Sequence, residues 1–179
     1  MEHQEHKHQE NKHERKHGLN LFSPAIISLI AVLSSFLIPG FSNYIDNQNI
    51  RQAQEIVKSD LRTVQNNALS GVGSSSSSVL YWGLKISSQN ASNYGFFKAA
   101  AANSSACSSA TIEQTSVDLP GAVVIRDGAG ACVFFNLRNG DATVVNLPNS
   151  TIKLGPAGVT ACDGVQINSA GMIRGVEIC

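Results

Sequence analysis

The chain lacks an excess of charge of either sign, because its 179 residues include 13 lysines and arginines and 13 aspartates and glutamates. Only 15% of its residues are charged. Binding to nucleic acid needs a clustered basic face that meets the phosphates. Residues 72–179 instead hold six basic and six acidic side chains without a cluster. The composition therefore argues against nucleic acid as a partner.

Histidine is absent after His17, since all five histidines lie among the first 17 residues. This excludes a Ser-His-Asp triad, a Cys-His pair and a histidine-ligated metal from the rest of the chain, unless a partner supplies the histidine. The spacing of His3, His6 and His8 permits chelation of nickel or zinc, but a solvated polar tail explains these residues equally well. We predict no metal site and no cofactor.

Acidic residues are also sparse in the second half, and no two of them are close in sequence. No calcium-loop spacing occurs, although a carboxylate pair brought together by the fold stays open. We therefore predict that the protein is not an enzyme. The acidic residues concerned are Glu113, Asp118, Asp127, Asp141, Asp163 and Glu177.

Charge is missing altogether from Leu19–Ile38. A helix of 20 residues at about 1.5 Å per residue crosses the ~30 Å core of a bilayer, so this run predicts a membrane anchor, with a buried core helix as the alternative. Arg15 and Lys16 precede it and favour a cytoplasmic amino end and an exported remainder. No small-x-small cleavage site follows.

The apolar pattern continues after Pro39 with steps of mostly three or four residues, which is the period of an amphipathic helix. Pro39 is expected to kink this helix rather than to end it. Gly71 and Gly73 with Ser74–Ser78 then form a flexible stop. The predicted organisation is a polar leader (1–18), an apolar half-helix (19–38), an amphipathic half-helix (39–71), a linker (72–78) and an exported β-domain (79–179).

A leader that ends in Gly18, an apolar helix, Pro39 and then Arg51–Gly71 (RQAQEIVKSDLRTVQNNALSG) resemble the amino terminus of type IV pilins and type II secretion pseudopilins. Asp60-Leu61-Arg62 with Gln65–Ser70 are most similar to the H-type minor pseudopilins and related minor pilins. The resemblance implies cleavage after Gly18 by a prepilin peptidase, with Leu19 as the methylated amino terminus of the mature chain.

The same resemblance implies that one face of the first half-helix packs against neighbouring subunits in a filament. The residues concerned are Ile26, Ile27, Leu29, Ile30, Leu33, Leu37 and Pro39. Two positions depart from the family pattern, because Ser23 stands where pilins carry a glutamate and Pro24 follows it directly. These departures are more compatible with a minor or tip subunit than with a shaft subunit.

The remaining residues alternate short apolar stretches with turn signals, which predicts a small antiparallel β-sheet or sandwich. Asn139-Gly140 is a strong two-residue turn signal; that register places Phe134 opposite Val145 and Asn136 opposite Thr143. The predicted strands are Val79–Ile86, Tyr94–Lys98, Ala122–Arg126, Cys132–Arg138, Asp141–Leu147, Ser150–Leu154, Val165–Asn168 and Met172–Val176.

Four cysteines fall in this part of the chain, and none forms a C-x-x-C pair, which argues against zinc. An even number in an exported domain predicts disulfides, with four free thiols as the alternative. Four cysteines allow three pairings. Pairing the last two strands about their turn brings Cys162 and Cys179 opposite each other, so we favour Cys162–Cys179 and Cys107–Cys132.

The sequence thus predicts an α+β protein, a long amino-terminal helix followed by an antiparallel β-domain. The function we expect is that of a structural minor pilin or pseudopilin in a type IV pilus-like or type II secretion filament. Its partners would be other pilin-like subunits, the inner-membrane assembly machinery, the prepilin peptidase and the membrane. The alternatives are a membrane-anchored binding module, such as an adhesin or a DNA-uptake pilin, and an unrelated single-pass protein.

Overall fold

The computed structural model describes residues 22–71, 79–158 and 163–178. Within these ranges, only the backbone is described for residues 22, 23, 36–40, 115 and 116. Several predictions concern residues outside the described part of the chain. These are the leader at 1–18 with Gly18, Leu19, the linker at 72–78, Cys162 and Cys179.

One long helix, α1, spans Phe22–Leu69 and contains 48 residues. It continues through Pro39, which confirms that this proline does not end the helix. The chain divides into two compact units, Met1–Asn43 and Tyr44–Cys179, and the boundary lies inside α1.

The second half of α1 buries one apolar stripe, as the sequence periodicity predicts. Successive members of the stripe are three or four residues apart, so they share one face of the helix. Tyr44, Ile45 and Leu69 continue the apolar pattern in the sequence, but their side chains are exposed. The buried residues are Ile50, Ala53, Val57, Leu61, Val64 and Ala68.

In the described part of the chain nine strands form two antiparallel sheets, so the fold is α+β as predicted. The five-stranded sheet has the order β3-β2-β1-β5-β6, and the four-stranded sheet has the order β4-β7-β8-β9. The strands are β1 (Tyr81–Ile86), β2 (Asn93–Ala99), β3 (Gln114–Asp118), β4 (Val123–Ile125), β5 (Ala131–Asn136), β6 (Ala142–Val145), β7 (Thr151–Pro156), β8 (Asp163–Ile167) and β9 (Ile173–Glu177).

Two elements were not predicted from the sequence, namely β3 and a six-residue helix, α2, at Ser104–Ser109. The helix α2 lies in a stretch rich in serine and alanine, and β3 lies in a mostly polar stretch, so neither shows a clear strand or helix periodicity. The Asn103 side chain caps α2, because its Oδ1 accepts a hydrogen bond from the Ala106 amide at 2.8 Å. A short 3-10 helix at Pro148–Ser150 precedes β7.

The predicted register of the β5–β6 hairpin is wrong by two residues, since Phe134 lies opposite Thr143 and not opposite Val145. Asn139-Gly140 is not a two-residue turn. The Asn136 amide donates to the Asp141 carbonyl at 3.0 Å, so the loop between them contains four residues. Loops of this length are a common alternative to the two-residue turn that the Asn-Gly pair signals.

The main core lies between the two sheets and the buried stripe of α1. From the five-stranded sheet it contains Trp82, Leu84, Ile86, Tyr94, Phe96, Ala131, Val133, Phe135 and Ala142, and from the other sheet Val123, Ile125, Ile152, Leu154, Val165, Ile167 and Ile173. A second cluster of Phe97, Cys107, Cys132 and Phe134 lies on the opposite face of the five-stranded sheet. This sheet is therefore covered on both faces.

Candidate functional site

The first half of α1 presents large apolar side chains over most of its circumference. The large apolar side chains in residues 24–35 with more than half of their surface exposed are Ile26, Ile27, Leu29, Ile30, Val32 and Leu33. Because neighbouring positions in a helix differ by about 100°, these six residues cover more than half of the circumference, and Ser28 and Ser35 lie together on the remaining side. Contiguous exposed apolar surface of this kind marks a site for a membrane or for other proteins.

Serine hydroxyls within this half-helix are satisfied by the helix itself. The Ser28 hydroxyl donates to the Ala25 carbonyl at 2.9 Å, and the Ser35 hydroxyl donates to the Val32 carbonyl at 2.7 Å. A hydroxyl that has a hydrogen-bond acceptor in its own helix costs little when it is moved from water to an apolar environment. The serines therefore do not prevent this half-helix from entering one.

Most of the predicted assembly residues lie in this exposed group, namely Ile26, Ile27, Leu29, Ile30 and Leu33. For Leu37 and Pro39 only the backbone is described. Within the described part of the chain, no helix is both long enough and apolar enough to cross a membrane. The predicted anchor also includes residues 19–21, which lie outside the described part, so the anchor stays a prediction.

Two glutamines fix the second half of α1 against the β-domain. Gln54 Nε2 donates to the carbonyls of Gly164 at 2.8 Å and Val176 at 3.3 Å. Gln65 Nε2 donates to the carbonyls of Gly140 and Gly171, each at 3.1 Å. Each side-chain amide thereby bonds two separate segments of the β-domain. These bonds fix where α1 lies along its own axis and how far it lies from the β-domain.

A partly buried phenol–carboxylate pair lies between these two contacts. The Tyr94 hydroxyl donates to Asp60 Oδ2 at 2.7 Å, and Tyr94 is almost completely buried. Burial raises the pKa of the Tyr94 hydroxyl far above its ordinary value, and the hydrogen bond to Asp60 and its negative charge raise it further. Tyr94 therefore stays protonated and acts as a donor that joins α1 to β2.

The disulfide Cys107–Cys132 joins α2 to the strand β5 and confirms one of the two predicted pairings. Among the described cysteines none is free. The pairing Cys162–Cys179 concerns residues outside the described part of the chain and stays a prediction. Stable disulfides are typical of proteins that fold outside the cytoplasm.

The groove between α1 and β9 is lined by charges of both signs, including Arg51, Lys58, Asp163 and Glu177. Lys58 forms an ion pair with Glu55 at 2.7 Å, and Glu55 is two-thirds exposed. Exposed pairs of this kind contribute roughly 0–1 kcal/mol to stability. The groove thus has neither the single charge sign nor the burial expected of a site for an ionic ligand.

The comparisons with known proteins gave no match to a family model, a curated protein or a solved structure. The architecture is nevertheless pilin-like, because a long amino-terminal helix precedes antiparallel β-sheets. The disulfide indicates an extracytoplasmic location for the β-domain.

Sequence reasoning did not identify Gln54, Asp60, Gln65 or Tyr94 as interface residues. A signal for three of them does exist, because Gln54 and Gln65 each directly follow a buried residue of the helix stripe and Asp60 directly precedes one. Polar residues at the border of an apolar stripe can reach backbone groups at the edge of the contact. Their acceptors, however, depend on the loops of the β-domain.

Proposed function

We propose that the protein is a structural subunit, a minor pilin or pseudopilin, of a type IV pilus-like or type II secretion filament. The observation that carries the proposal is the exposed apolar surface of the first half of α1. Ile27 and Leu29 are 63% and 64% exposed, and their neighbours along the helix are similar. This segment needs an apolar environment.

A filament core and a lipid bilayer both meet that need. Burying six such side chains stabilises the segment by on the order of 5–10 kcal/mol relative to water. Lipid tails are as apolar as leucine side chains, so moving the helix from a bilayer into a bundle of similar helices changes the hydrophobic term little. Assembly can then proceed by helix packing, while the inner-membrane assembly machinery supplies the work.

The β-domain would form the outward-facing part of the subunit. Gln54 and Gln65 bond it to α1 at two levels of the helix, and Tyr94 with Asp60 adds a third contact. Such a rigid connection suits a subunit whose helix is pulled into the filament during assembly. The β-domain then moves with the helix and is presented to neighbouring subunits or to cargo. The clear absence of a basic cluster in residues 72–179 argues against nucleic acid as that cargo.

Processing by a prepilin peptidase after Gly18 would give a mature chain that begins at Leu19. Ser23 and Pro24 would remain in this chain, and without the family's glutamate at Ser23 the subunit would suit a minor or tip position better than the shaft. The second candidate is a permanently anchored binding module on the cell surface. It would keep its histidine-rich leader.

The test is intact mass measurement and amino-terminal sequencing of the protein recovered from its native membrane. A chain that starts at Leu19 supports a processed filament subunit. A chain that still carries His3 to His17 would contradict the proposal and favour the anchored binding module.

A further inference from the structure

The connection from β2 to β3 is a long segment, residues 100–113, that crosses the outer face of the five-stranded sheet. We call it the strap. It leaves the β2–β3 edge and passes over β1, where Lys85 Nζ donates to the carbonyls of Ser108 at 3.3 Å and Ala110 at 2.9 Å. It then reaches β5, to which Cys107 is bonded through Cys132.

The strap covers two aromatic rings. Phe97 and Phe134 are fully buried and meet edge to face, with their centroids 5.2 Å apart. Gly83 on β1 leaves the space for one of them, because a Cβ there would lie 2.5 Å from Cζ of Phe97. These rings point away from the main core and pack against alanines of the strap, so they would face solvent if the strap moved away.

The strap has little apolar surface of its own to hold it in place. Between Ala100 and Thr111 no side chain is larger than asparagine, and none is charged. Its largest side chain, Ile112, packs over Gly95 near the β3 end and is still 37% exposed. Burying alanine methyl groups gains little compared with the entropy lost in ordering a loop of this length.

Cys107 Sγ also lies 3.2 Å from the Gly130 carbonyl oxygen, and the remaining polar contacts of the strap lie at its β3 end. The Glu113 amide donates to the Phe96 carbonyl at 2.9 Å, and the Glu113 carboxylate pairs with Lys98 at 2.8 Å. The middle of the strap is therefore held by the bonds from Lys85, by the packing of its small alanine side chains and by the disulfide of Cys107. The disulfide is the only covalent contact among these.

We propose that the strap is a segment closed by oxidation, which stays open while Cys107 and Cys132 are thiols and closes over Phe97 and Phe134 when they form the disulfide. The main core, on the other face of the sheet, folds in both states. In the closed state the two cysteines are 1% and 0% exposed, so the strap shields its own disulfide from reductants. Closure is then effectively one-way. This inference does not depend on filament assembly.

The closing reaction is thiol–disulfide exchange with a small disulfide oxidant, such as oxidised glutathione. A thiolate of the pair attacks one sulfur of the oxidant, which breaks the oxidant's S–S bond, forms a mixed disulfide and releases one thiol. The second cysteine then attacks the protein sulfur of this mixed disulfide, which forms the Cys107–Cys132 bond and releases the other thiol. Two electrons pass from the cysteine pair to the oxidant, which leaves as two thiols. Before this exchange the aromatic face of the sheet is open.

The experiment is hydrogen exchange on two full-length variants. The control is C162S/C179S, which keeps only the strap cysteines, and the test variant adds C107S/C132S to it. We expect the amides of Ser104–Ala110 to exchange about 100-fold faster in the test variant, because the covalent tie is lost. Amides in β7 and β8 should keep their protection.

Equal protection of Ser104–Ala110 in the two variants would overturn the proposal, since non-covalent contacts would then suffice to close the strap. Loss of protection throughout the molecule would overturn it as well, because the main core would then depend on the disulfide. A second measurement treats the oxidised control variant with dithiothreitol, with and without urea. We expect reduction only in urea; reduction in native buffer at the rate of an exposed disulfide would contradict one-way closure.

Discussion

At the scale of single residues, the contact between α1 and the β-domain depends on polar side chains with specific partners. Tyr94 and Asp60 form its most buried pair, and the two glutamines bond to backbone carbonyls on either side of it. The sequence does not reveal these partners. Gln65 bonds carbonyls that are 75 and 106 residues further along the chain, and their position is set by two loops of the folded domain.

The Tyr94 hydroxyl should make stability depend on alkaline pH. Its pKa is raised in the folded state, so its contribution is complete below the unfolded pKa of about 10 and is lost as pH rises above it. We compare the free energies of unfolding of the wild type and of Tyr94→Phe. We expect the difference between them to shrink by up to about 1.4 kcal/mol between pH 10 and pH 11. Urea titrations of both proteins measure this difference. A constant difference from pH 9 to pH 11 would refute the account of this pair.

At the scale of elements, the apolar pattern was the most informative feature of the sequence. Steps of three and four residues predicted the buried stripe of α1, and short alternating stretches between turn signals predicted eight strands. The predicted register of β5 and β6 was wrong because Asn139-Gly140 signals a two-residue turn, whereas the bond between Asn136 and Asp141 closes a four-residue loop. The strap and β3 show no apolar periodicity in the sequence, so neither could be predicted. Their small or polar residues are compatible with a sheet edge and with a loop.

Two leucines on α1 offer a matched test of the stripe. Leu61 is fully buried in the core and Leu69 is 51% exposed. Leu61→Ala should lower the free energy of unfolding by about 2–5 kcal/mol, because it removes buried methyl groups and leaves a cavity. Leu69→Ala should change it by less than about 1 kcal/mol. Denaturant unfolding of both variants checks the prediction, and equal effects would mean that α1 does not pack through this face.

The second predicted disulfide, Cys162–Cys179, can be tested by peptide mapping without reduction. Strands β8 and β9 pair so that Asp163 lies opposite Glu177. Cys162 comes one residue before Asp163, and Cys179 comes two residues after Glu177. We expect one peptide that links these two cysteines and another that links Cys107 to Cys132. Free thiols at Cys162 and Cys179 would show the pairing to be wrong. A peptide that links either of them to Cys107 or Cys132 would do so as well.

At the scale of the whole molecule, the sequence pattern and the exposure of the first half of α1 both support the proposed role as a filament subunit. The charge-free run and the amphipathic stretch that follows it predicted one long helix with two different environments. In the structure, the large apolar side chains described in the first half are exposed, while the second half buries its stripe on the β-domain. What surrounds the first half could not be predicted from the chain alone, because a bilayer and a bundle of helices select the same residue types.

The most direct test of filament assembly is site-specific photo-crosslinking in cells of the native organism. The crosslinking amino acid replaces Leu33 on the exposed half-helix or, as a control, Asn139 in the exposed loop after β5. We predict that the Leu33 position gives adducts that map to the amino-terminal helix of pilin-like subunits, and that the Asn139 position gives none to that helix. Adducts at Leu33 with lipid alone would contradict assembly through this helix.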